Sequence, residues 1–206
     1  MIIGIDFDNT IILYDKLVRS IASKMGFIPP SFEGDKVAVR DFIRSSKYGD
    51  EGWQRVQGQV YGKEIVGAVI ADGFKEFIVL ARKKQNQLYI VSHKTEIGHF
   101  DIEKINLRDA ALGWMEGQGF FSQIEDGGLG FTRDEIFFRA ERKEKIVKIK
   151  ELQCEAFIDD LPEVFEEAMF PPKTKKILYA PVGFTEHKCA MTVVKSWNEI
   201  ANALLS

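Results

Sequence analysis

Two aspartates pose the first question. Asp6 and Asp8 stand in the run Asp6-Phe7-Asp8-Asn9-Thr10, directly after an apolar stretch at residues 2–5. In an extended chain, carboxylates at i and i+2 point to the same side. Two like charges held together repel, and the arrangement costs energy unless something compensates. A hard divalent cation does so, and Mg²⁺ prefers carboxylate and phosphate oxygens. Taken alone, the pair fits a surface turn as well as it fits a metal site.

Other polar residues are placed in the same way. The apolar run Leu88-Tyr89-Ile90-Val91 ends at Ser92, which His93 and Lys94 follow. The run Ala156-Phe157-Ile158 ends at Asp159-Asp160, and Arg142-Lys143-Glu144-Lys145 leads into Ile146-Val147. The short apolar runs at 2–5, 88–91, 136–138, 156–158 and 177–179 have the length and composition of buried strands. Between them the period changes. Tyr14, Leu17, Val18, Ile21, Ala22 and Met25 mark one face of a helix, which Gly26 and Pro29-Pro30 end. Asp35 can cap a second helix carrying Val39, Phe42 and Ile43. Trp53, Val56, Val60 and Tyr61 suggest a third, and residues 63–71 read as helical too. Further helices are predicted from Phe74 to Lys84, after the cap Asn106, over 143–152, from Pro162, and over 196–204. The aromatic residues Trp53, Tyr61, Phe74 and Trp114 read as core, and Gly127-Gly128-Leu129-Gly130 as a turn.

Strands alternating with helices predict an α/β fold with a parallel sheet covered on both faces. Such sheets bind ligands beyond the carboxyl ends of their strands. Asp6, Ser92 and Asp159-Asp160 all stand at such ends, and if those strands are neighbours the residues converge on one crevice. Residues 14–75 carry no strand signal and read as an all-α insertion.

The ordered set resembles the haloacid dehalogenase (HAD) superfamily, whose members are mostly phosphatases. That superfamily places DxDx[TV] after the first strand, Ser or Thr after the second, then a Lys, then acidic residues after the fourth. The resemblance spans residues 1–13 and about 75–180. It implies a Rossmann-like parallel sheet flanked by helices, a core of residues 1–13 and 76–206, and an α-helical C1-type cap over 14–75. It implies that Asp6 attacks phosphorus to form an aspartyl-phosphate, and that Asp8 protonates the leaving oxygen and then activates water. Ser92 donates to a phosphoryl oxygen, and Lys143, or alternatively Lys145, balances charge. Asp6, Asp8, Asp159 and Asp160 hold Mg²⁺, with Asp160 favoured over Asp159 as the direct ligand and Asp8 contributing its backbone carbonyl. Asn9, Thr10, Ser92, His93 and Lys94 are the residues expected to bind substrate, the latter two at the rim. His99, His187 and Glu163 carry weaker expectations. The presence of Asp8 points to phosphoryl chemistry, because a halide leaving group needs no proton.

Composition narrows the field. The 206 residues are 45% hydrophobic and 29% charged, which argues against a mainly disordered chain. With 28 basic and 31 acidic residues the net charge is −3, without a basic nucleic-acid footprint. The two cysteines cannot build a disulfide framework. An acid at position 6 comes too early for a signal peptide, and no apolar run spans a membrane, so the expected location is cytoplasmic. The expected partner is a small phosphorylated metabolite, with neither nucleic acid nor membrane; monomer and homodimer both stay open. A 5′-nucleotidase, a phosphomutase and a non-catalytic scaffold on the same fold remain as alternatives.

Overall fold

The five apolar runs fold as strands, and three short strands join them: β1 (Ile2–Ile5), β2 (Ile12–Leu13), β3 (Val69–Ile70), β4 (Gln87–His93), β5 (Ile136–Arg139), β6 (Ala156–Asp159), β7 (Lys175–Tyr179) and β8 (Thr192–Val194), of which β2, β3 and β8 are the additional ones. The helices are α1 (Asp15–Lys24), α2 (Lys36–Ser45), α3 (Gly49–Tyr61), α4 (Phe74–Lys83), α5 (Leu107–Gly117), α6 (Arg142–Glu151), α7 (Pro162–Glu166) and α8 (Trp197–Leu205). The structure is a computed structural model that describes residues 1–100, 103–183 and 189–206. His187 lies outside the described residues.

The chain divides into two compact units. The first comprises Met1–Ile12, Ile70–Lys94 and Gly119–Ser206. Its six strands form a sheet in the order β5-β4-β1-β6-β7-β8, and every neighbouring pair is parallel. This is a Rossmann-like α/β sheet with helices on both faces. On one face Val91, Phe157 and Leu178 pack with Ile146 and Ile149 of α6 and Val164 and Phe165 of α7. On the other, Trp197 of α8 meets the rings of Phe74, Phe77 and Tyr179. The central strands are held close by Gly4: a Cβ there would lie 2.5 Å from the Phe157 ring. That narrow fit sets β1 beside β6, the two strands that deliver the acids.

The second unit comprises Leu13–Val69 and Thr95–Gln118 and contains α1, α2, α3 and α5. Asp35 caps α2 by accepting from the Ala38 N–H, and Asn106 caps α5 from the Arg108 and Asp109 N–H groups, as their side chains predict. Trp53 and Trp114 are buried in this unit, and Phe74 in the first.

Three differences from the sequence reading have physical causes. Residues 63–71 do not continue as a helix; a single 3₁₀ turn at Ile65–Gly67 precedes β3. Gly62 stands just before the segment and Gly67 within it, and both make a helix costly there. The segment 95–118 clusters with α1–α3 rather than with the sheet. Its apolar residues Leu107, Ala111, Trp114 and Met115 are buried, α5 packs on α3, and the Trp114 indole N–H donates to the Ala68 carbonyl at 3.2 Å. The sheet also gains β8, three residues long and too brief for a strand signal. No helix among the described residues is long and apolar enough to cross a membrane.

Candidate active site

Because β1 lies between β4 and β6, the carboxyl ends of all three come together. Asp6 follows β1 directly, Ser92 and His93 end β4, and Asp159 ends β6. The Asp6 N–H donates to the Ile158 carbonyl at 2.9 Å, which ties the first acid to the strand carrying the later pair.

The turn after Asp6 is tight. Ile11 and Ile12 N–H groups donate to the Phe7 carbonyl, and Asn9 sits at φ 58° with its N–H donating to Ile12. Asparagine tolerates this left-handed conformation better than most residues. Asn9 therefore shapes the turn that presents Asp8. Thr10 is fully buried, and its hydroxyl has no hydrogen-bond partner among the described residues.

Asp6 is only 3% exposed, and its Oδ1 accepts from the Ser92 hydroxyl at 2.9 Å and from Lys145 Nζ at 2.6 Å. Lys145 Nζ also donates to Asp159 Oδ2 at 2.6 Å, and the Leu161 N–H takes Asp159 Oδ1 at 3.0 Å. Lys145 and Asp159 are both fully buried. Burial alone would lower the Lys145 pKa, but the Asp159 and Asp6 carboxylates outweigh it and hold the ammonium above the ordinary lysine range. Burial works against the charge on Asp159, and Lys145 opposes that while Asp6 adds to it.

Here the structure corrects the sequence reading. Lys143, the preferred motif lysine, is exposed on the first turn of α6, while Lys145 reaches the acids. Helical phase is the reason. At about 100° per residue, Lys145 lies about 40° from the centre of the Ile146-Ile149-Leu152 stripe and Lys143 about 120° away. The stripe was visible in the sequence and carried the signal.

Lys94 also departs from expectation. It is not at an exposed rim but 4% exposed, with Nζ 3.0 Å from Asp8 Oδ1 and 2.8 Å from Asp8 Oδ2. His93 is half-buried; burial and then the Lys145 charge push its pKa below the ordinary histidine value. His99 is exposed and belongs to the second unit, and Glu163 is an exposed acid in the first turn of α7.

Asp6, Asp159 and Asp160 each offer a ligand oxygen within 4.8 Å of the others, so the three could hold a metal ion. The donor set supports the fit. Four carboxylates, Asp6, Asp8, Asp159 and Asp160, gather here beside the ammonium groups of Lys94 and Lys145. Hard carboxylate oxygens in this number suit a divalent cation.

Neither a scan of protein-family models nor a search of curated proteins gives a match to this sequence. Solved structures do match in fold. A haloacid dehalogenase-like family hydrolase from Streptococcus pneumoniae superposes with TM-score 0.60 at 15% identity, over 98% of this chain and 97% of that one. A HAD-superfamily hydrolase of subfamily IA, variant 1, from Geobacter sulfurreducens gives 0.55 at 14% identity, over 98% of each chain. A HAD-superfamily hydrolase from Ehrlichia chaffeensis gives 0.53 at 15% identity, over 98% and 95%.

Proposed function

We propose, from the HAD-superfamily hydrolase fold and the cluster at its strand ends, that this chain is a Mg²⁺-dependent phosphatase. The proposed substrate is a small phosphate monoester, and the helical unit is read as the cap that the resemblance implies. One observation carries the reading. The Ser92 hydroxyl and the Lys145 ammonium both take Oδ1 of Asp6, and Oδ2 accepts neither of these bonds. A carboxylate gripped by one oxygen has its other oxygen oriented for attack.

Asp6 and Asp160 are the proposed direct metal ligands, with the Asp8 backbone carbonyl. Asp159 has both its oxygens engaged, by Lys145 and by the Leu161 N–H, and acts from behind. A bound Mg²⁺ supplies neutralisation of the phosphate and nucleophile charges. The side chains do the rest. Asp6 Oδ2 attacks phosphorus, and its new O–P bond forms as the ester P–O bond breaks. Asp8, in its acid form, gives its proton to the leaving oxygen. Asp8 then takes a proton from water as that water attacks phosphorus, and Asp6 departs with its carboxylate restored. Ser92 and Lys145 donate to the charge that builds on nucleophile and phosphoryl oxygens. His93, at the end of β4, and Asn9 and Thr10, in the turn after Asp6, are proposed on the substrate side.

The test is phosphate release from sugar phosphates, nucleotides and 4-nitrophenyl phosphate, with Mg²⁺ and with chelator, beside Asp6→Asn. Metal-dependent release that Asp6→Asn abolishes is expected. Release that survives in Asp6→Asn would overturn the proposal.

A further inference from the structure

We infer that Lys94 is the positioning residue for Asp8, holding its carboxyl where the leaving oxygen of a phosphate ester must meet it. The inference deepens the phosphatase reading and rests on it. A lysine this buried needs a partner, because an isolated ammonium out of water is costly. Here the Asp8 carboxylate serves, met at both oxygens, 3.0 and 2.8 Å from Nζ. Lys94 is itself fixed at two points. Its N–H donates to the Arg139 carbonyl at 2.7 Å, extending the β4–β5 ladder by one bond. Its ammonium also lies 5.8 Å from the centre of the buried Phe7 ring, the residue between the two aspartates. The strand end therefore sets where Nζ sits, and Nζ sets where Asp8 sits.

An ammonium has three N–H donors and no acceptor. With a proton on one Asp8 oxygen, Lys94 still donates to the other. The proton-bearing oxygen then has a restricted set of directions, and general acid catalysis depends on such placement. As the ester P–O bond breaks, the leaving oxygen takes the proton and Asp8 becomes a carboxylate, whose charge Lys94 balances. Ser92 and Lys145 act on Asp6, and Lys94 on Asp8, so the two aspartates meet different lysines.

The leaving group separates positioning of the acid from binding of the phosphate. An alkyl phosphate leaves as a strongly basic oxygen and needs the Asp8 proton. 4-Nitrophenolate is a stable anion and needs it far less. We would measure kcat/KM for a simple alkyl phosphate and for 4-nitrophenyl phosphate in the Mg²⁺-loaded protein, in Lys94→Met and in Lys94→Arg. General acid catalysis contributes about 10²–10⁴-fold, so Lys94→Met should lose at least about tenfold more on the alkyl ester than on the aryl ester. Lys94→Arg keeps the charge, disturbs folding less, and should show the same selectivity in smaller measure. Equal losses on both esters in the two variants, with KM raised, would overturn the inference and make Lys94 a phosphate ligand. Turnover of neither ester by the unaltered protein would instead overturn the phosphatase reading, and this inference with it.

Discussion

The same residue types stand in two regions under opposite conditions. At the strand ends, Lys145 bridges Asp6 and Asp159 with all three side chains at most 5% exposed. In the helical unit, Arg55 pairs with Glu51 at 2.7 Å and Arg44 with Asp50 at 2.7 Å, yet these side chains are about half exposed. The distances are similar and the physics is not. Water screens the surface pairs, which contribute little. The strand-end charges have lost their hydration, and each depends on the others for compensation. A fold gains no stability by gathering acids and lysines out of water when apolar residues would fill the same space. That contrast is the physical ground for placing the proposed chemistry at this cluster.

Substitutions sharpen the contrast, and activity should respond most. Asp6→Asn keeps the shape and removes the proposed nucleophile, so phosphate release should fall by at least about 10³-fold. Lys145→Met leaves Asp6 and Asp159 buried without their shared cation. Urea unfolding should show a loss of about 3–5 kcal/mol, and turnover should fall by about 10²–10³-fold. Lys143→Met, two residues earlier and exposed, should change turnover by less than about twofold and stability by less than about 0.5 kcal/mol. If the two lysine variants exchanged these phenotypes, the placement of α6 would be wrong.

Packing comes next in size. Gly4→Val drives a side chain into Phe157 and should cost about 1–3 kcal/mol or more, read by thermal unfolding. His93 makes one contribution to the pH response of stability. Its folded pKa is depressed by burial and by Lys145, so the fold favours the neutral ring. The contribution is complete above the unfolded value of about 6.5 and is lost as pH falls through the lower folded value. Asp159, its folded pKa pushed up to about 7 by burial, acts in the opposite sense, so the His93 share is read by difference: on acidification from neutral pH the Tm of metal-free His93→Gln should fall less, or rise more, than that of the unaltered protein. Arg55→Ala should produce the smallest effect, about 0.3–0.5 kcal/mol, and still less at high salt.

What the sequence disclosed differs between the two regions. The strands of the sheet were legible because a strand buried on both faces is a short apolar run, and Asp6, Ser92 and Asp159 stood at the ends of three of them. Strand order followed from none of this; it depends on packing such as the Gly4–Phe157 contact. Lys145 was legible only through helical phase, and the boundary of α6 mattered more than the residue type. Lys94 was not legible as a buried group, since nothing local to Ser92-His93-Lys94 signals that Asp8, 86 residues away, folds onto it. In the helical unit, the caps Asp35 and Asn106 were readable because capping is local. The grouping of 95–118 with that unit was not, because it rests on contacts such as Trp114 with Ala68, 46 residues apart.

The central claim is that Asp6 carries the phosphoryl group. Its most direct test is to mix the Mg²⁺-loaded protein with a substrate that it turns over, quench in acid within a turnover, and map the mass of the Asp6 peptide. We expect one phosphoryl group on that peptide, labile to hydroxylamine and absent in Asp6→Asn. Steady phosphate release with no phosphoryl on Asp6, or with phosphoryl on another residue, would contradict the account.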